Sequence, residues 1–136
     1  MKGTCRTFTE ESKRIVEKRF HEIVRGVAKS LGGSAEITFI HQIPATVNHP
    51  KACELLWRSA EEVLGKGNVV HGKPTMGGED MSLYLEKVPG CFGFLGMRNP
   101  AKGVVWPHHH PKFMVDEDVL PIGAEIMYRA AKAYYE

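Results

Sequence analysis

Three adjacent histidines near the C-terminal end are the residues best suited to chemistry. His108, His109 and His110 lie between Pro107 and Pro111. Imidazole is a common ligand of zinc and related ions. The prolines disfavour helix, and neighbouring side chains of an extended segment point to opposite faces. We therefore expect at most one metal ligand, with His109 as the first candidate, or the pair on the opposite face. The alternatives are a hydrated loop or the remnant of a purification tag.

A second candidate stretch is Gly77–Asp80, with the sequence Gly-Gly-Glu-Asp. Two glycines allow the backbone to approach a ligand closely, while the carboxylates of Glu79 and Asp80 project nearby. The alternative interpretation is an ordinary loop whose acidic residues begin the next helix.

The bulk properties exclude several classes of function. A length of 136 residues is enough for one domain. The net charge of +2 arises from scattered residues, which argues against a nucleic-acid surface. No apolar run approaches the roughly 20 residues that span a bilayer, and the N-terminus lacks the apolar core of a signal peptide. Cys5, Cys53 and Cys91 are far apart, which predicts small buried side chains in a reducing, cytoplasmic compartment.

Hydrophobic periodicity predicts the order β-α-β-α-β-α-β-α, an α/β fold with helices on a sheet. The predicted strands are Gly3–Phe8, Ala35–Ile43, Asn68–His71 and Cys91–Gly96. The predicted helices are Glu10–Leu31, a helix that follows Asn48 and stops at Gly65, Asp80–Lys87, and a last helix opened by Asp116–Asp118. We expect one apolar face of the first helix to be buried.

Several motifs occur together in an order that resembles the C-terminal part of the two-metal amidohydrolases. These are the aminoacylase and carboxypeptidase relatives that include hippurate hydrolases and plant auxin-conjugate hydrolases. The matching pieces are Gly3–Phe8, Pro44–Asn48, Met76–Asp80, Val88–Gly90 with Phe94–Gly96, His109–Phe113, Asp116–Glu117 and Leu120–Gly123.

The resemblance implies a fold and a division of the chain. Residues 1–45 would be the second half of a ferredoxin-like lid (β-α-β) that often mediates dimerisation. Residues 46–136 would be the C-terminal part of a metallopeptidase-like α/β catalytic domain. Such enzymes hydrolyse N-acyl amino acids or small peptide amides through a water activated by two Zn, Mn or Co ions.

The resemblance also implies roles for individual residues. His109, two positions before Pro111, corresponds to the family's late metal ligand. Glu79 becomes the candidate carboxylate that contacts water or substrate, with Gly78 and Asp80 as substrate-binding neighbours. Met81 departs from the family, because many relatives have an aromatic residue there.

The family's other ligands and its general base lie in the N-terminal half, which has no counterpart here. We therefore expect the isolated chain to be inactive, and to need its missing half or to self-associate in order to cover exposed edges. One alternative is a non-catalytic dimerisation or binding module derived from the family. Another is a small α/β fold whose resemblance is accidental.

Overall fold

The computed structural model of the protein describes residues 1–136 and contains four α-helices. They are α1 (Glu10–Ser30), α2 (Pro50–Leu64), α3 (Met81–Leu85) and α4 (Val119–Tyr135). A 3-10 helix covers Pro100–Lys102. All four predicted helices are present, although α3 is shorter than the sequence predicts. No helix combines the length and the apolar character that crossing a membrane requires.

None of the four predicted strands forms a ladder. The only β-pairing is an isolated bridge between Asn99 and Val104. The predicted α/β architecture is therefore not seen: the helices are present, and the sheet, including the two strands of the predicted β-α-β lid, is absent. A strand exists only through hydrogen bonds to a neighbouring strand, and none of the four segments has such a neighbour in this chain.

The chain divides into two compact units. The first unit consists of Met1–Val47 and Pro74–Lys87 and contains α1 and α3. The second unit consists of Asn48–Lys73 and Val88–Glu136 and contains α2, the 3-10 helix and α4.

Helix α1 is well capped and poorly covered. The Thr9 hydroxyl accepts the Ser12 N–H at 3.0 Å, which satisfies one free donor at the helix start. Phe20 packs edge-on against Phe39 at 5.6 Å. No residue of α1 is buried, and Ile15 and Ile23 remain 55% exposed. The prediction of a buried apolar face is wrong for this chain, because the sheet that would cover it does not form.

The second unit contains the only buried apolar side chains, which are Ala60, Val104 and Ile126. Its helices α2 and α4 pack against each other. Arg129 on α4 bonds to Glu62 of α2 at 3.1 Å and to Glu125 of its own helix at 2.7 Å.

The start of α2 is fixed to the segment Gly90–Phe92. The Asn48 side chain donates to the Phe92 carbonyl at 2.9 Å and accepts the Phe92 N–H at 2.8 Å. The His49 N–H donates to the Gly90 carbonyl at 2.9 Å. Asn48 thus supplies to Phe92 the two hydrogen bonds that a neighbouring strand would otherwise make.

Candidate functional site

The three histidines lie on a turn. The His110 N–H donates to the Pro107 carbonyl at 3.2 Å, which closes a four-residue turn around His108 and His109. His109 has φ of 66° and is the only non-glycine residue with positive φ. The expectation of an extended run is therefore wrong. The flanking prolines exclude helix but are equally compatible with a turn.

His108 and His110 are both engaged by neighbours within the loop. The His110 ring stacks on Trp106, with ring centroids 4.1 Å apart, and its Nδ1 accepts the Lys112 N–H at 3.0 Å. The His108 ring contacts Phe113 edge-on at 5.0 Å. These contacts orient the two rings that alternation would have placed as a pair of ligands, and they occupy only one ring nitrogen, Nδ1 of His110.

His109 differs from both neighbours. Its side chain is exposed, and no hydrogen bond or ring contact involves it. A histidine in the left-handed region is uncommon, and backbone strain of this kind clusters at functional sites. His109 is thus the only ring of the three without a contact to another side chain, although the ring nitrogens of His108 make no hydrogen bond either.

A buried carboxylate holds the base of the histidine loop, which consists of residues 105–115. Asp116 is 7% exposed and accepts hydrogen bonds at 2.6 Å from Asn99 Nδ2 and from Lys102 Nζ. Lys102 also bonds to the exposed Asp118. At the N-terminal end of the loop, Val104 exchanges two backbone hydrogen bonds of 2.9 Å with the same Asn99. The two ends of the loop are therefore tied together.

These partners shift the titration of Asp116 and Lys102. The hydrogen bond from Lys102, followed by that from Asn99, lowers the pKa of the Asp116 carboxyl. The same contact with Asp116, followed by that with Asp118, raises the pKa of Lys102. Sequence reasoning interpreted Asp116 as a helix opener and as part of a matching motif, without an anchoring role. Its distant partners Asn99 and Lys102 left no signal in the local pattern.

The Gly77–Asp80 segment belongs to the first unit and is held more loosely. The Glu79 side chain is half-buried, and its Oε1 accepts the Met81 N–H at 3.5 Å. Asp80 is exposed and makes no side-chain capping bond to α3. At Gly78, an added Cβ would lie 3.1 Å from Ile43 Cδ1. The other carboxylate oxygen of Glu79 has no hydrogen-bond partner in the chain.

The first unit also contains an open cleft of about 300 Å³. It is lined by Phe8, Glu10, Pro44, Ala45, Val47, Ser82, Leu85 and Glu86. None of the predicted site residues is among them. Ser82 is 1% exposed and its hydroxyl has no hydrogen-bond partner.

No group of three or more His, Cys, Asp or Glu side chains is arranged to hold a metal ion. Gly78, Glu79 and Asp80 lie in the first unit, and His109 lies in the second. An exposed imidazole is a suitable donor for zinc or a similar ion. A single donor does not make a site, so the residues of this chain do not by themselves fit a divalent cation.

Comparison with known proteins finds relatives that are named as hydrolases. The model of the peptidase family M20/M25/M40 matches residues 5–133. The chain is 37% identical, over 98% of its length, to a Bacillus subtilis protein named as an amidohydrolase. It is 36% identical over 91% of its length to thermostable carboxypeptidase 1 of Saccharolobus solfataricus. It is 33% identical over 97% of its length to an IAA-amino acid hydrolase of Arabidopsis thaliana.

These matches cover 34%, 31% and 31% of the three relatives, so the chain spans about a third of their length. The search of solved structures found no match.

Proposed function

Because the chain belongs to the peptidase family M20/M25/M40, we propose that it acts as the C-terminal part of a metal-dependent amidohydrolase. The complete enzyme hydrolyses the amide bond of N-acyl amino acids or small peptide amides. Relatives named as amidohydrolases, carboxypeptidases and amino acid conjugate hydrolases support this substrate class. The match over residues 5–133 carries the proposal.

The proposed ions are two divalent cations, Zn, Mn or Co, whose chemistry is to activate the attacking water. Most of their ligands, and the general base, come from outside these 136 residues. His109 contributes one imidazole. Of the three histidine rings, it is the one without a contact to a neighbouring side chain, which supports this assignment.

In the first unit, we assign residues 1–45 to the lid and Glu79 to the substrate side of the site. A carboxylate with an unpartnered oxygen can orient a water or a polar substrate group. Gly78 and Asp80 flank it, and the small glycine lets a substrate come close to the backbone. Residues 46–136 are assigned to the catalytic domain.

The exposed surface agrees with a chain that is covered by other protein. The chain exposes 11449 Å². A folded monomer of 136 residues exposes roughly 7,000 Å². The apolar side chains of α1, among them Phe20 and Val27, contribute to the excess. Other parts of the complete enzyme, or a second copy, would bury this surface. The proposed compartment is the cytoplasm.

The decisive experiment restores the rest of the enzyme. Residues 1–136 replace the matching third of the Bacillus subtilis relative, and the hybrid is assayed with N-acetyl and N-benzoyl amino acids. We expect His109→Ala to lower kcat/KM at least about 100-fold and to lower bound metal, because a ligand is lost. The matched variants His108→Ala and His110→Ala should retain metal. Full activity of the His109→Ala hybrid would remove this residue from the site.

The isolated chain provides the complementary test. With added Zn²⁺, Mn²⁺ or Co²⁺, it should give no turnover above the metal blank. Robust turnover by the bare chain would contradict the proposal that essential groups lie elsewhere.

A second candidate function is a non-catalytic dimerisation module, which the uncovered apolar face of α1 favours. Light scattering after size exclusion distinguishes the two, when combined with the hybrid assay. A stable dimer together with an inactive hybrid would favour the module over the enzyme part.

A further inference from the structure

Two cysteines of the second unit have no role in the proposed hydrolysis. Cys53 lies in the first turn of α2, and Cys91 lies between Gly90 and Phe92. Their Sγ atoms are 3.1 Å apart, and both thiols are free. We propose that Cys53 and Cys91 form a dithiol that hydrogen peroxide converts to an intramolecular disulfide.

The backbone around the pair is already fixed in position. His49 and Asn48 hold the start of α2 against Gly90 and Phe92 through three hydrogen bonds of 2.8–2.9 Å. A disulfide bond is about 2.0 Å long, so the two sulfurs must approach by about one ångström. Side-chain rotation supplies a movement of this size without separating α2 from the segment.

The environment sets the speed of the reaction. Burial, followed by the hydrogen bond with Cys53, raises the pKa of the Cys91 thiol to about 12. The Cys91 thiol is therefore protonated at neutral pH, and its nucleophilic thiolate is scarce. Attack of Cys91 on the peroxide is therefore slow, whereas the short distance to Cys53 favours the second step, which takes place within one molecule.

Sequence spacing gives no sign of this pair. The two cysteines are 38 positions apart, and the sequence predicts only small buried side chains. Both are instead half-buried, and the third cysteine, Cys5, is exposed. The contact arises because Asn48 brings the start of α2 to Phe92.

The oxidation is balanced by the peroxide alone. One thiolate attacks a peroxide oxygen, which forms a sulfenic acid and releases hydroxide that becomes water. The second sulfur then attacks the sulfenic sulfur, which forms the S–S bond and releases a second water. Two electrons pass from the thiols to the peroxide, and the two thiol protons leave in the water.

The test uses the full chain carrying Cys5→Ser, which removes the exposed thiol. After treatment with hydrogen peroxide, non-reducing digestion and mass spectrometry should show a peptide that joins Cys53 to Cys91, lighter by two hydrogens than its parts. We expect Tm to rise by about 5–10 °C, reversibly with dithiothreitol, because the cross-link restricts the unfolded chain.

Matched controls are the double variants Cys5→Ser/Cys53→Ser and Cys5→Ser/Cys91→Ser. Serine is close in size to cysteine, and neither variant should form an intramolecular cross-link. The proposal is overturned if Cys53 and Cys91 stay fully alkylatable after peroxide, or if disulfides form only between chains. Neither cysteine lies on the histidine loop, so this outcome is independent of the hydrolase proposal.

Discussion

The histidine loop and the Gly77–Asp80 segment carry the proposed site residues, and they are held very differently. The ends of the histidine loop are tied by the buried Asp116 and by two backbone hydrogen bonds between Asn99 and Val104. The Gly77–Asp80 segment has one long side-chain hydrogen bond of 3.5 Å, from the Met81 N–H to Glu79.

This difference fits the two roles proposed for these segments, a metal ligand at His109 and a substrate contact at Glu79. The loop holds the backbone of His109, the proposed metal ligand, from within the chain, whereas the exposed ring has no contact that orients it. A substrate-contacting carboxylate tolerates adjustment, because the bound substrate itself helps to position it. We therefore expect mutations to perturb stability strongly at the histidine loop and weakly at Gly77–Asp80.

Asp116→Ala should have the largest effect on stability. It leaves the Lys102 ammonium without its buried partner and Asn99 without its acceptor. We expect Tm to fall by more than about 5 °C. Trypsin should also cleave faster after Lys112, because the loop opens more often.

The matched control is Asp118→Ala. This substitution removes the other carboxylate partner of Lys102. The Asp118 side chain is 77% exposed. Surface ion pairs contribute little, so Tm should change by no more than about 2 °C. Equal effects of the two substitutions would show that the loop is not anchored through Asp116.

Acid should weaken the same anchor. The folded-state pKa of Asp116 is lowered, mainly by the hydrogen bond from Lys102, relative to the ordinary value of 3.8. The folded protein therefore binds this proton less readily than the unfolded chain does. The stabilisation is complete above the ordinary pKa and is lost as pH falls through the lowered one.

The measurement is Tm as a function of pH below about pH 5. The parent protein should lose Tm more steeply with acid than Asp116→Asn, which cannot titrate at this position. Other carboxyls contribute equally to both proteins, so the difference between the curves isolates Asp116. Parallel curves would contradict the assigned anchor.

His109→Gly should change stability less than Asp116→Ala does, and it should stabilise the protein. Glycine adopts the φ of 66° without the steric cost that histidine incurs. We expect the free energy of unfolding to rise by about 0.5–1 kcal/mol in chemical denaturation. His108→Gly is the matched control and should destabilise, because its φ is not positive and its ring contacts Phe113. Destabilisation by His109→Gly would show that the imidazole contributes to folding.

The sequence alone was sufficient for the helices, whereas the choice of His109 rests on resemblance to a family and stays a prediction. Thr9 and Pro50 mark helix starts by local chemistry, and the structure places helices after both. Strand prediction failed at Ala35–Ile43 and Cys91–Gly96, because pairing depends on neighbours that a local pattern cannot specify.

Contacts between residues far apart in the chain also could not be predicted from the sequence. The Asp116 anchor joins positions 14 and 17 residues apart, and the Cys53–Cys91 contact joins positions 38 apart. The role proposed for Glu79 rests on resemblance to a family. Its carboxylate has no surrounding geometry in this chain that identifies a reaction.

Gly78→Ala should have the smallest effect on stability. The new Cβ would lie 3.1 Å from Ile43 Cδ1, the end of a flexible side chain that can shift by a few tenths of an ångström. The φ of Gly78 is not positive, so alanine also gains by restricting the unfolded chain. The two effects oppose each other, and we expect a change within about 0.5 kcal/mol.

Gly77→Ala is the matched control for that substitution. Its Cβ would meet only Thr75 Oγ1, at 3.6 Å, which is an ordinary contact. It should therefore be slightly more stable than Gly78→Ala in the same denaturation experiment. In the hybrid enzyme, Gly78→Ala should lower kcat/KM although stability is unchanged, because the added methyl group blocks close approach of substrate to the backbone. A large loss of stability at Gly78 would instead show that this segment is held as firmly as the histidine loop, and the contrast between the two would fail.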